Sequence, residues 1–249
     1  MSGGTNEVVK LWWSRLDAIA AALRLATPDA HSRAARFVHS ADRKRSLIGS
    51  VLLKSLAADT LGCDVTSVGL ARECRRCGMV SSEPNGHGRP IVINNELCLS
   101  LSHSDDLVCA AASWAPIGVD IERVRPLAAP EIDMFLGPDE PAPEAGGAEA
   151  IALWTRKESF LKATGEGLAA SPSQVRVGDS QVRVGDSAPA RPAFRPADLT
   201  CVEVHGHVWD LEVPPGYRGA VTVLSHCSST FELPRFEVTR DALVAVDRA

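Results

Sequence analysis

Four short stretches of this chain carry residue types whose spacing could do chemistry. In the run IGVDIER, residues 117–123, Asp120 and Glu122 are separated by one residue. On a strand, alternate side chains share a face, so the two carboxylates stand about 6.5–7 Å apart at their Cα atoms. Two such charges repel unless something positive lies between them, and a hard divalent cation held by oxygen ligands is the simplest candidate. Taken alone, a solvent-facing acidic pair, or a pair serving Arg123 and Arg125, explains DxE as well. In LWTRKESFLKATGEG, residues 153–167, Lys157, Glu158 and Lys162 are close in sequence. Glu158 and Lys162 are four apart and would share a helix face, which by itself amounts to a surface ion pair. SLSHSDD, residues 100–106, places His103 between Ser102 and Ser104 in an expected turn. GHGRP, residues 86–90, sets Arg89 among glycines that let backbone approach an anion. Separately each has a plain structural explanation. Jointly, three carboxylates, two lysines, a histidine and several arginines point to a cation-assisted site for a phosphate-rich ligand.

The elements that must position these groups are legible from hydrophobic pattern. Val8–Ser14 reads as a strand and Ala18–Leu25 as a helix. Thr27 and Pro28 form an N-cap and first-turn pair for a second helix carrying Arg33. Asp42–Leu61 has a helical apolar stripe that stops at Gly62. Residues 71–90 read as turns. Leu97–Ser102, Leu107–Ser113 and Ile117–Glu122 read as strands, residues 137–147 as a mobile loop, and Ala148–Thr164 as a helix ended by glycine. Residues 173–186 repeat SQVRVGD twice in tandem, which suits a hairpin or loop and not a solenoid. Residues 188–197 read as irregular. Thr200–Val204, His207–Val213 and Ala220–Ser225 alternate like antiparallel strands. Helices and strands mix without a βαβα rhythm, so the class is α+β.

Composition narrows the functions. With 249 residues, 45% hydrophobic and 23% charged, the chain has ample core for one large or two small domains. A net charge of −5 argues against a nucleic-acid binder. No apolar run has membrane-spanning length, and the N-terminus lacks the pattern of a signal peptide, so the expected location is the cytoplasm without membrane attachment. Residues 31–54 nevertheless hold Arg33, Arg36, Arg43, Lys44, Arg45 and Lys54 against a single acid, Asp42. That cluster faces either solvent or an anionic partner. Seven scattered cysteines do not form a disulfide framework. Cys98 and Cys109 read as small buried hydrophobes. Cys74 and Cys77, with His87, offer three zinc ligands without an evident fourth, or a redox pair; two plain loop cysteines is the modestly preferred reading.

The order SHS, then GVDIE, then WTRKESFLKATGEGL resembles the 4′-phosphopantetheinyl transferases of the Sfp type, and RKRSLIGSVLLKSL and HGRP fit upstream in the same order. The resemblance covers about residues 31–168. It implies two similar α+β halves related by a pseudo-twofold axis, residues 1–116 with coenzyme A nucleotide contacts and residues 117–249 with the metal and KE-helix motifs, and an active site at their interface. The related trimeric type has chains about half this length, so the resemblance implies a monomer. It implies transfer of the phosphopantetheine arm of coenzyme A to a serine of an apo acyl, peptidyl or polyketide carrier protein, with release of 3′,5′-ADP. By position, Asp120, Glu122 and Glu158 would hold Mg²⁺, or Mn²⁺ in its place. Glu158, or a water it holds on the metal, would act as base, with Asp120, Lys162 and His103 beside it in the catalytic set. Lys157 and Lys162 would offset charge on the pyrophosphate, Ser102 and His103 would grip the region of the nucleotide 3′-phosphate, and Arg33, Arg45, Ser46 and Arg89 would contact coenzyme A. The family often has a second basic residue three before Arg33; here that position is Ala30, beside His31. A non-catalytic coenzyme A or nucleotide binder on the same fold is the chief alternative. A small zinc module is a third, and it leaves the KE helix unexplained.

Overall fold

A computed structural model describes residues 8–138, 140–143, 147–165, 170–177, 181–184, 205–225 and 234–246. Its chain forms two compact units, residues 1–115 with 230–249 and residues 116–229. Each has its own sheet, and the mixed α+β class holds for both.

The first unit is built on a seven-stranded sheet. In chain order its elements are β1 (Val8–Arg15), α1 (Ile19–Leu25), α2 (Pro28–Ala35), α3 (Ser40–Leu61), β2 (Leu70–Cys74), β3 (Met79–Ser81), β4 (Arg89–Val92), β5 (Cys98–Ser104), β6 (Leu107–Ser113), β12 (Arg235–Thr239) and α6 (Ala242–Val246). The sheet order is β12-β1-β6-β5-β4-β2-β3. The cap read at Thr27 is made: its hydroxyl accepts from the Ala30 N–H at 3.3 Å, with Pro28 in the first turn. α3 ends where the sequence stops it, at Gly62 with φ of 64°. α3 lies against the sheet through Leu47, Ile48, Leu52 and Leu56, which meet Trp12, Leu99, Val108, Ala110 and Ala112 in one core. A Cβ on Gly49 would stand 3.0 Å from the Leu101 side chain, so α3 crosses β5 closely there.

Three expectations in this unit change. Residues 71–90 are not only turns: β2, β3 and the start of β4 lie in them, and short strands broken by Gly and Pro carry too little period to be seen. His103 sits on β5 and not in the turn, because the strand runs to Ser104 and the reversal needs only Asp105 and Asp106, with Asp105 at φ of 49°. The last residues do not belong with 117–229. β12 pairs in parallel with β1, Val8 opposite Arg235 through Trp12 opposite Thr239, and the Leu243 N–H donates to Ser14 Oγ at 3.1 Å. A parallel neighbour contributed from far along the chain leaves no local pattern.

The second unit holds β7 (Ile117–Arg123), α4 (Ala129–Asp133), α5 (Ala148–Thr164), β8 (Val175–Val177), β9 (Gln181–Val184), β10 (His205–Asp210) and β11 (Tyr217–Ser225). The sheet order is β7-β11-β10-β9-β8. The tandem repeat folds on itself: β8 and β9 pair antiparallel, Val175 opposite Val184 and Val177 opposite Val182. α5 packs on the sheet through Phe160 and Leu161, which meet Val175, Val208 and Ala220. α4 has no counterpart in the sequence reading. Residues 188–197 and 200–204 lie outside the described residues. No described helix is long and apolar enough to cross a membrane.

Candidate active site

Gly118 explains why β7 and α5 meet as they do. A Cβ there would lie 1.9 Å from the Ser159 carbonyl oxygen and 2.5 Å from the Ala163 nitrogen. Only glycine lets the helix backbone rest on the strand at that point. Residues 118, 120 and 122 share a face by strand alternation, so the approach at Gly118 brings α5 over Asp120 and Glu122. Val119 and Ile121 are fully buried on the opposite face.

Lys162 reaches across this contact. Its Nζ donates to Asp120 Oδ1 at 2.6 Å and to the Val119 carbonyl at 3.2 Å. The i,i+4 pair with Glu158 is therefore not what Lys162 serves. Glu158 is buried, 6% exposed, and its Oε1 accepts no hydrogen bond from the described residues. Burial, with Asp120 as the next cause and Glu122 adding, pushes its carboxyl up to about 7, against the pull of Lys162. Arg125, offered in the sequence as a partner for the acidic pair, bonds Glu131 at 2.8 Å.

These groups fit a divalent cation by their chemistry. Three carboxylates supply hard oxygen ligands, and one buried oxygen of Glu158 has no donor among the described residues to satisfy it. The trio is not a closed cage, however. Among the described residues, the group whose ligand atoms all lie within 4.8 Å of one another is Cys74, Cys77 and His87.

Lys157 does not join this cluster, which corrects its expected role on the pyrophosphate. Its ammonium is fully buried and donates to the Phe135 carbonyl at 2.8 Å and to Glu140. Five residues along a helix is about 140° of rotation, so Lys157 and Lys162 point away from each other despite their closeness in sequence. Lys157 instead ties Phe135 to Glu140, and the Gly137 N–H also donates to Glu140 Oε2 at 2.8 Å. Of the 137–147 stretch expected to be mobile, Glu140 is held by this buried ion pair, and residues 139 and 144–146 lie outside the described residues.

In the first unit the anion-binding candidates fall into two groups. Gly49 abuts Leu101. One helical turn back on α3 lie Arg45 and Ser46, and one strand step onward on β5 lies exposed His103. Arg45 Nε donates to the Asp105 carbonyl at 2.7 Å and its Nη1 to Asp42 at 2.5 Å, which ties this end of α3 to the hairpin. Ser102 is buried and points to the other face of β5 from His103. The second group surrounds a cavity of about 320 Å³ between α2, α3 and β2, lined by Arg33, Lys54, Arg72, Ser50, Pro84 and others. Arg33 donates to the carbonyls of Gly86 at 3.0 Å and Glu83 at 3.1 Å. Arg89 pairs with Glu73, Nη2 to Oε2 at 2.5 Å.

Arg72 is the residue that sequence reasoning missed. Burial and the neighbouring Arg33 push its guanidinium down to about 10, so it stays charged at neutral pH while repelling Arg33. Two guanidiniums held near each other at a cavity wall favour an anion between or beside them. The missing signal was the strand itself: with residues 71–90 read as turns, Arg72 had no face to share with anything.

A family model described as 4′-phosphopantetheinyl transferase, N-terminal, matches residues 10–115. A second, described as 4′-phosphopantetheinyl transferase superfamily, matches residues 116–211. The two meet where the compact units divide. The chain is 31% identical over 144 residues to 4′-phosphopantetheinyl transferase psf-1 of Bacillus pumilus, covering 55% of this chain and 56% of that one. It is 26% identical over 149 residues to 4′-phosphopantetheinyl transferase Sfp of Bacillus subtilis (strain 168), covering 57% and 62%. It is 31% identical over 169 residues to 4′-phosphopantetheinyl transferase HetI of Nostoc sp., covering 63% and 65%. The chain thus spans between about half and two thirds of the length of these curated relatives. With both halves of its sequence matched, it belongs to the 4′-phosphopantetheinyl transferase superfamily.

Proposed function

We propose that this protein transfers the 4′-phosphopantetheine arm of coenzyme A to a serine of an apo carrier protein and releases 3′,5′-ADP. The observation that carries the reading is Glu158: a buried carboxylate with an oxygen unsatisfied among the described residues, raised to about 7 in the metal-free protein, four residues from Lys162 on α5 and one strand-to-helix contact from Asp120 and Glu122. A carboxylate held there can take a proton from an attacking serine, and a protein that only bound the ligand would have no use for such a group.

In the reaction, the carrier serine oxygen bonds to the β-phosphorus of coenzyme A. The bond from that phosphorus to the oxygen bridging it to the α-phosphate breaks, and 3′,5′-ADP leaves with the electron pair. Glu158 takes the serine proton. Lys162 places positive charge beside Asp120, where negative charge accumulates on the pyrophosphate. A bound Mg²⁺, or Mn²⁺, held by Asp120, Glu122 and Glu158, would neutralise the pyrophosphate oxygens. Arg33 and Arg72 at the cavity, and Arg45, Ser46 and His103 at the end of α3, are the groups we assign to coenzyme A phosphates. Arg89, paired with Glu73, stays a candidate contact, while Ser102, buried on the face of β5 away from His103, and Lys157 leave the set. Arg36, Arg43 and Lys44 are exposed, beside Val38 at 83% exposure, and suit an acidic carrier. We place the enzyme in the cytoplasm, as a monomer, with no nucleic acid or membrane as partner.

Glu158→Gln tests the assignment. Transfer falls by about 10²–10⁴-fold, the usual contribution of a general base, while coenzyme A binding followed by calorimetry survives in part. Turnover at the parent rate in that variant would remove Glu158 as the base.

A further inference from the structure

Away from the acid cluster, β2 and β3 form a hairpin whose turn is C-R-R-C-G, residues 74–78. Cys74 stands opposite Met79 at its base, and Gly78 takes φ of 69° just after Cys77. The turn aims both sulfurs to one side. Across that turn the Cys77 thiol donates to the Cys74 carbonyl at 3.9 Å.

The third member comes from the segment before β4. His87 Nε2 lies 3.4 Å from Cys77 Sγ, and the ligand atoms of Cys74, Cys77 and His87 all lie within 4.8 Å of one another. With zinc–sulfur and zinc–nitrogen bonds of about 2.3 and 2.0–2.1 Å, a tetrahedral site has a sulfur-to-nitrogen edge of about 3.6 Å. The observed spacing is within a few tenths of an ångström of that edge. A thiol–imidazole hydrogen bond alone would account for Cys77 and His87, and it would leave the convergence of Cys74 unexplained.

The histidine is brought there by a backbone contact and not by chance exposure. Gly88 has φ of 99°, and a Cβ on it would lie 2.1 Å from the Glu73 carbonyl oxygen and 2.7 Å from the Cys74 Cα. The chain around His87 therefore lies directly on the strand that ends in Cys74. Arg72 Nη1 donates to the Gly88 carbonyl at 3.2 Å, and Arg33 holds the carbonyls of Gly86 and Glu83. The same short segment thus joins the cysteine hairpin to the two arginines of the cavity.

We propose that Cys74, Cys77 and His87 form a structural zinc site that clamps residues 82–88 onto the β2–β3 hairpin. Two thiolates and an imidazole suit a borderline-soft ion such as Zn²⁺ and not the hard cation suited to carboxylates. The fourth position faces solvent, since Cys77 and His87 are both exposed, and water fills it. Through the carbonyls of Glu83, Gly86 and Gly88, the clamp sets where Arg33 and Arg72 are held. The proposal stands on this geometry alone, whatever reaction the acid cluster performs.

The test uses the full chain purified without chelators, with zinc measured by elemental mass spectrometry. Close to one zinc per chain is expected, falling at least about tenfold in Cys77→Ser and in His87→Ala. Cobalt added to the metal-stripped chain should give a thiolate-to-cobalt charge-transfer band, absent in Cys74→Ser. Circular dichroism of each variant checks that the fold persists. Because a ligand variant could misfold, the cobalt band of the parent chain decides independently. Under a tenth of an equivalent of zinc after reconstitution, with no cobalt band, would overturn the proposal. So would a Cys74–Cys77 disulfide, seen as a loss of two hydrogens that reductant reverses, in a reduced chain that still takes up no metal.

Discussion

At the scale of single residues, the acid cluster is defined by an imbalance. Asp120 has a cation within hydrogen-bond reach in Lys162, whereas Glu158 has burial and two acidic neighbours. Glu158 titrates near 7 in the folded protein and near 4.5 when unfolded. The folded state therefore holds the proton more tightly. The stability this contributes is fully present below about pH 4.5 and is lost as pH rises through about 7. In the absence of divalent cation, thermal unfolding of the parent chain should fall relative to Glu158→Gln across that window. Added Mg²⁺ should restore it above the window by offsetting the carboxylate charge. Parallel pH profiles for parent and variant would count against the buried, uncompensated Glu158.

At the scale of elements, the contact of β7 with α5 decides whether the acids meet at all. Gly118→Ala forces a methyl group into backbone at 1.9 Å, and neither partner is a flexible side-chain tip. Overpacking of this kind costs about 1–3 kcal/mol, and more where backbone must move, so chemical denaturation should show at least that loss. Unchanged stability would mean the close approach is not present in solution. This contact also marks the limit of what the sequence discloses. α5 is legible to the residue, Ala148–Thr164, because its apolar pattern and flanking glycines are strong. So is the Thr27 cap. Which lysine faces the acids is not legible, because Lys157 and Lys162 differ by a rotation whose reference is the sheet beneath them. Arg72 and the β2–β3 hairpin were hidden for a related reason: these strands are three to five residues long, too short to show a period.

At the scale of the whole chain, the division after Ala115 separates the arginines of the first unit's cavity from the acid cluster, yet the C-terminal segment returns to the first unit. β12 completes the edge beside β1, and Leu243 is fully buried there. Leu243→Ala should cost about 2–5 kcal/mol, read as a lowered denaturation midpoint. A change within error would place residues 234–246 outside the cooperative core. In the proposed function the first unit supplies charged groups for phosphates and the second a buried carboxylate beside hard oxygen ligands. The most direct measurement is intact-mass spectrometry of apo acyl, peptidyl and polyketide carrier proteins incubated with the chain, coenzyme A and Mg²⁺. The account predicts a gain of one phosphopantetheine on a carrier serine. The gain should disappear with EDTA and return when excess Mg²⁺ is supplied. No gain on any carrier, from a chain that binds coenzyme A measurably, would contradict it and leave a coenzyme A binder without transfer activity.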